Sequence, residues 1–228
     1  MIFRRVVQGG DGVDKVDVLE VKRVQQKEAH CGPASIEMLF SFYGLNVTQE
    51  EVVAAVGLTE TIVRDGGTRI DQLAQAVRVL HPEYALLARY NCSLRDMKHI
   101  LEEFQIPVGV EWRGLFLEPN QTYVEKGHYS VITLLDDLRG VIYIADPEQK
   151  NVLTPNGEIS MVEFEQRWWE INDVPRLHDP TQIEFIRNER LIFVLVKEQR
   201  QEALRNLGFQ PATLSLMWRY RVPDKSSS

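Results

Sequence analysis

Among the residues able to act as nucleophile or base in this sequence, Cys31 has the most unusual neighbours. It lies in Ala29-His30-Cys31-Gly32-Pro33-Ala34. Glycine and proline there mark a sharp turn, and Pro33 suits the first position of a helix, where its missing N–H has no use. A thiol at a helix start faces unpaired N–H groups and the positive end of the helix dipole, and both favour the thiolate. To attack a carbonyl, that thiolate needs a base and donors for the oxyanion that forms.

Five histidines could supply the base: His30, His81, His99, His128 and His178. The His30 side chain should diverge from that of its neighbour Cys31. His81 reads as a helix end, His99 as part of a charged helical face and His178 as part of a polar linker. His128 stands apart, after Gly127 and at the start of the apolar strand Tyr129-Ser130-Val131-Ile132. An imidazole base needs an acceptor to orient its second nitrogen. Asp146 closes the strand Val141-Ile142-Tyr143-Ile144-Ala145, just before Pro147. If these two strands pair as a hairpin through Arg139-Gly140, His128 and Asp146 meet at its far end. Gln25, six residues before Cys31, could add an amide donor to the oxyanion site, with Gln26 the near alternative.

The elements that must position these groups follow from periodicity. After Cys31, Ile36, Leu39, Phe40 and Tyr43 recur at helical spacing up to Gly44. Thr48-x-x-Glu51 starts a second helix, 58–67 reads as a loop, and Thr68-x-x-Asp71 starts a helix ending at His81-Pro82. Ser93 caps a helix through 104. From 106 the period changes: 106–112, 128–135 and 141–145 are rich in β-branched and aromatic residues. A short helix starts at Ser160, a polar stretch covers 172–189, a last strand covers 191–196, and 199–207 reads as helix before a loose serine-rich tail. Helices followed by strands predict an α+β fold with a mostly antiparallel sheet.

Taken singly, each candidate has a plain explanation. Cys31 reads as a small buried hydrophobe, His128 as a satisfied strand-end residue, and Asp146-Pro147 as a turn. Their joint spacing favours an active site. A zinc site from Cys31, His30, His128 and Cys92 lacks any Cys-x-x-Cys or His-x-x-x-His pair.

The set Gln25-Gln-Lys-Glu-Ala-His-Cys31-Gly-Pro-Ala-Ser, Gly127-His128-Tyr-Ser-Val-Ile and Ala145-Asp146-Pro147 resembles the papain-like cysteine peptidases of the bacteriocin-processing, double-glycine leader type. The resemblance spans about residues 20–150. It implies Cys31 as nucleophile, His128 as base and acid, Asp146 as orienter and Gln25 in the oxyanion hole. It also implies a papain-like peptidase domain over 1–200, with 201–228 a helix end and tail. A peptide or protein is then the substrate, and no cofactor is implied. The sequence departs from well-known members in having no membrane-spanning or ATP-binding region. Residues 113–127 read as a long loop, and 150–228 as an addition that could receive a partner protein. Gly9-Gly10 could be a self-cleavage site or simply a loop. Two alternatives compete: a thioester-forming acyltransferase or amidase acting on small amides, and a non-catalytic leader-peptide-binding module.

Composition narrows the remaining classes. With 26 Lys+Arg against 33 Asp+Glu the net charge is −7, and no basic cluster is present, so nucleic acid is an improbable partner. No apolar run approaches the roughly 20 residues needed to cross a bilayer. Met1-Ile-Phe-Arg-Arg lacks the apolar core of a secretory signal. The two cysteines are then expected to be reduced thiols in the cytoplasm, not a disulfide.

Overall fold

The computed structural model describes residues 4–7 and 16–222, so Gly9-Gly10 and the serine-rich end lie outside the described residues. A short antiparallel pair, β1 (Arg4–Val7) with β2 (Val16–Leu19), precedes the helices. α1 (Cys31–Phe42) begins at the cysteine itself, which puts Pro33 third in the helix, still within the turn whose N–H groups have no partner. Its residues are buried almost all round, including Ile36, Met38, Leu39 and Phe40. It is therefore a central helix, not an amphipathic surface one.

α2 (Gln49–Ala55) and α4 (Ile70–Leu80) pack against α1, with α3 (Glu60–Gly66) between them in sequence. The Thr48–Glu51 capping box forms as the sequence predicts. α3 replaces the expected loop: Thr59 accepts from the Ile62 N–H at 3.3 Å to start it. It buries only Val63, which leaves no apolar period to read. α4 is capped from Arg69 rather than Thr68, with Gln72 accepting from the Arg69 N–H at 2.9 Å. After β3 (Tyr84–Arg89), α5 (Leu94–His99) starts at Ser93 as expected and runs into a π-helical turn, Ile100–Phe104.

The sheet has seven strands in the order β11-β3-β10-β4-β5-β6-β7, every pair antiparallel. These are β4 (Val108–Leu117), β5 (Tyr123–Asp136), β6 (Val141–Ala145), β7 (Glu158–Ser160), β10 (Ile192–Lys197) and β11 (Gln210–Pro211), with β3 given above. α6 (Met161–Arg167) follows β7, and a separate ribbon pairs β8 (Trp169–Pro175) with β9 (Ile183–Glu189). α7 (Glu198–Asn206) and α8 (Leu214–Arg219) close the described chain. In β10, Phe193 and Leu195 face the core under α1, while Ile192, Val194 and Val196 face a second core under α5 and α6. A strand covered on both faces reads as an unbroken apolar run.

Three expectations change. Residues 113–127 are not a long loop: Arg113–Leu117 of β4 pair with Tyr123–Gly127 of β5, leaving only a short turn. The polar stretch 172–189 contains most of the β8–β9 ribbon. Beyond residue 200 the described chain is packed, with Leu204, Phe209, Leu216 and Met217 all buried. No helix among the described residues is long and apolar enough to cross a membrane.

Candidate active site

β5 and β6 pair with Val131 opposite Ala145, so His128 and Asp146 continue past the last pair on the same side. The His128 Nε2 stands 2.6 Å from Asp146 Oδ1, with both side chains almost wholly enclosed. Cys31, half-buried at the first position of α1, lines the same cleft as the ring and contributes to raising its pKa. With Nε2 turned to Asp146, Nδ1 is the nitrogen left for the thiol. Phe116 packs edge-on against the imidazole at 5.1 Å and Trp112 lies 6.2 Å away. These contacts fix the ring plane. Gly32 is needed beside the thiol, since a Cβ there would fall 2.2 Å from Thr68 Oγ1.

Burial alone would push the His128 pKa down. The Asp146 carboxylate, with a smaller contribution from Cys31, outweighs it and raises the pKa to about 10. Asp146 moves the other way: burial opposes its charge, but His128 and several donors hold its carboxyl below the usual range. Oδ1 accepts from the Glu148 N–H at 2.8 Å, and Oδ2 from Asn151 Nδ2 and Thr154 Oγ1, each at 2.8 Å. Asn151 and Thr154 are absent from the sequence reading. Their signal is faint, two polar residues in the turn-forming run after Asp146-Pro147.

Gln25 lines the same cleft as Cys31 and His128. Its amide nitrogen lies 3.4 Å from the Gln26 carbonyl. Its backbone is held from two sides. Gln49 Nε2 donates to the Gln25 carbonyl at 3.1 Å, and Gln49 Oε1 accepts from the Lys27 N–H at 3.0 Å. The Gln26 N–H donates to the Pro147 carbonyl at 2.9 Å, tying this segment to the turn after Asp146. Gln26 also lines the cleft, but its Oε1 is buried with no partner.

The other candidates lie elsewhere or are occupied. His30 is buried, with Nδ1 2.6 Å from the Glu28 carbonyl and Nε2 3.1 Å from Glu60. Cys92 packs in the second core, and burial raises its thiol pKa to about 12. Such a thiol is inert at neutral pH.

The cleft holds about 1040 Å³. Its floor contains a residue that the sequence does not flag, Glu111, opposite Tyr129 in the β4–β5 register. Glu111 is 4% exposed. Burial and the nearby Glu170 carboxylate raise its pKa to about 7, opposed by the nearby Tyr129 hydroxyl and the Asn172 amide. A Cβ at Gly127 would meet the Glu170 carboxylate at 2.4 Å, so a larger residue there would have to displace that side chain.

Two solved structures resemble the chain. One is a double glycine motif protease from an AMS/PCAT transporter in complex with the leader peptide. It is 17% identical with a TM-score of 0.49, over 86% of this chain and 99% of that one. The other is the peptidase domain of Streptococcus ComA, a bifunctional ABC transporter involved in quorum sensing. It is 15% identical with a TM-score of 0.47, over 78% of this chain and 100% of that one. No curated protein matches the sequence. The model of the Peptidase_C39-like family matches residues 18–175, a span holding Gln25, Cys31, His128 and Asp146. The chain belongs to this family, and it is a papain-like α+β cysteine peptidase.

Proposed function

We propose that Cys31, His128 and Asp146 form the catalytic triad of a peptide-bond hydrolase, with Gln25 and the backbone N–H of Cys31 receiving the oxyanion. The observation that carries this reading is the imidazole held between two groups. Asp146 sits at 2.6 Å on Nε2, and the thiol of a helix-start cysteine lines the same cleft and contributes to raising the pKa of the ring. The raised His128 pKa supports an imidazolium beside the thiol as the resting state.

From that state the thiolate adds to the scissile carbonyl, and the negative charge moves to the carbonyl oxygen. Collapse of this adduct breaks the C–N bond while the imidazolium gives its proton to the leaving amine. The neutral ring then takes a proton from water, whose oxygen displaces the thiol from the thioester. Asp146 keeps the ring in one orientation throughout.

The substrate class in this reading is an extended peptide laid along the cleft, and the setting is a reducing cytoplasm that preserves a free thiolate. Residues 150–228 also carry an outward apolar strip, with Phe185 75% exposed and Ile171 and Ile183 about half exposed. It fits the expectation of a partner or substrate contact there.

The test is cleavage of a mixed peptide library, with products assigned by mass, by the wild type, Cys31→Ala and His128→Ala. Peptide cleavage by the wild type alone supports the triad. Equal cleavage by Cys31→Ala would end the reading. Adding a primary amine separates hydrolysis from acyl transfer: free carboxyl termini mark the hydrolase, and amide products would mark the transferase.

A further inference from the structure

The floor of the cleft has a charge imbalance that the triad does not use. Glu111 and Glu170 both line the cleft with Cys31 and His128, yet only Glu170 has a counter-ion. Arg113 Nη1 lies 2.9 and 3.3 Å from the two Glu170 oxygens, and the Ile171 N–H donates to Glu170 at 2.9 Å. Glu111 has no such partner among the described residues. The one donor in hydrogen-bonding geometry on it is Asn172 Nδ2, at 3.3 Å, a neutral group. A buried carboxylate without a cation is costly.

A second feature points into the same place. Tyr129, 4% exposed and part of the cleft lining, carries a hydroxyl with no hydrogen-bond partner. Its hydroxyl lies near enough to Glu111 to favour the carboxylate, yet outside hydrogen-bonding geometry, and its lone pairs accept from no donor among the described residues. Glu111 and Tyr129 together therefore offer acceptors and lack a donor that carries charge. Lysine and arginine side chains are donor-only cations and match this demand.

We propose that Glu111, with Tyr129 and Asn172, is the specificity site of this peptidase and takes a lysine or arginine side chain of the peptide whose carbonyl faces Cys31. The proposal rests on the peptidase reading above and adds a substrate class to it. Because Glu170 is already neutralised by Arg113, one cation balances the floor, so the site takes a single basic residue.

The test uses dipeptidyl and tripeptidyl chloromethyl ketones that carry arginine, or its uncharged near-isostere citrulline, at each position in turn. The rate of Cys31 modification is followed by peptide mass. For at least one position the wild type should react at least about tenfold faster with the arginine probe, the advantage of a charge-assisted contact. That ratio should fall to about one in Glu111→Gln and recover in part in Glu111→Asp, which restores the charge on a shorter stem. A wild-type ratio near one at every position, with Cys31 modified readily, overturns the cation site and leaves the nucleophile standing. A ratio that survives in Glu111→Gln overturns it equally. Iodoacetamide serves as the separate check on the thiol: wild-type Cys31 no faster than a free thiol overturns the peptidase reading and the proposal with it.

Discussion

Asp146 and Glu111 are two enclosed carboxylates on the walls of one cleft, and they answer burial in opposite ways. Asp146 takes two backbone or side-chain donors and a third hydroxyl in addition to His128, and its carboxyl pKa falls below normal. Glu111 has Asn172 and the edge of Tyr129 for company, and its pKa rises to about 7. Burial is similar at the two sites, so donors and counter-charge decide the outcome. One acid is equipped to stay ionised and steady an imidazolium. The other is left short of a positive charge.

The comparison breaks most visibly at the imidazole. His128→Ala should lower peptide turnover by about 10⁶-fold, in line with the loss of a triad histidine, as measured by kcat on a cleaved peptide. A residual rate within tenfold of wild type would remove His128 from the chemistry.

Asp146→Ala strips the ion pair from one side only and leaves His128 and the donors of Asn151 and Thr154 unpaired in the interior. A destabilisation of about 3–5 kcal/mol is expected by urea unfolding near neutral pH. The pH window follows from the two shifts. His128 is raised from 6.5 to about 10, so its contribution is complete below 6.5 and lost as pH climbs through about 10. Asp146 is lowered from 3.8, so its contribution is complete above 3.8 and lost as pH drops through the lowered value. Both are present in full between about 3.8 and 6.5, and the variant's deficit should be greatest there.

Glu111→Gln sharpens the contrast by acting in the opposite sense. With its pKa raised from 4.5 to about 7, wild-type Glu111 favours folding below 4.5 and loses that advantage as pH rises through about 7. The glutamine variant should therefore be more stable than wild type at pH 8, by about 3 kcal/mol at one pKa unit per 1.36 kcal/mol. The gap should close below pH 4.5. Equal unfolding midpoints at pH 5 and pH 8 would show that Glu111 finds a counter-charge in the folded protein. The smallest effect belongs to Thr154→Val, which removes one of several donors from Asp146 and should cost about 1 kcal/mol.

The sequence made the Asp146 side of the cleft readable and concealed the Glu111 side, for physical reasons. His128 and Asp146 sit at the ends of β-branched strands joined through Gly140 at φ +66°, so hairpin topology alone brings them together. Cys31 was marked by Gly32 and Pro33 at the start of a strongly apolar helix. Asn151, Thr154 and Gln49 act through turns and backbone carbonyls, which leave no spacing pattern.

The β8–β9 ribbon inverts the usual alternation. Its inward residues include the polar Glu170, Asn172 and Asn188, while Ile171 and Phe185 face outward, so a reading by hydrophobicity sees only a polar linker. The β4–β5 arm was missed for a related reason. Gly114 interrupts it, and its residues Glu125, Lys126 and Gly127 are exposed.

A Cys31 thiol activated by His128 differs in reactivity from the buried Cys92, so the two cysteines provide their own control. Alkylation by iodoacetamide between pH 5 and 9, mapped by peptide mass in wild type and His128→Ala, tests that activation most directly. Fast labelling of Cys31 already at pH 5–6 is expected, together with its collapse in His128→Ala and slow labelling of buried Cys92 throughout. Cys31 labelling that follows the profile of a free thiol in both proteins would contradict it.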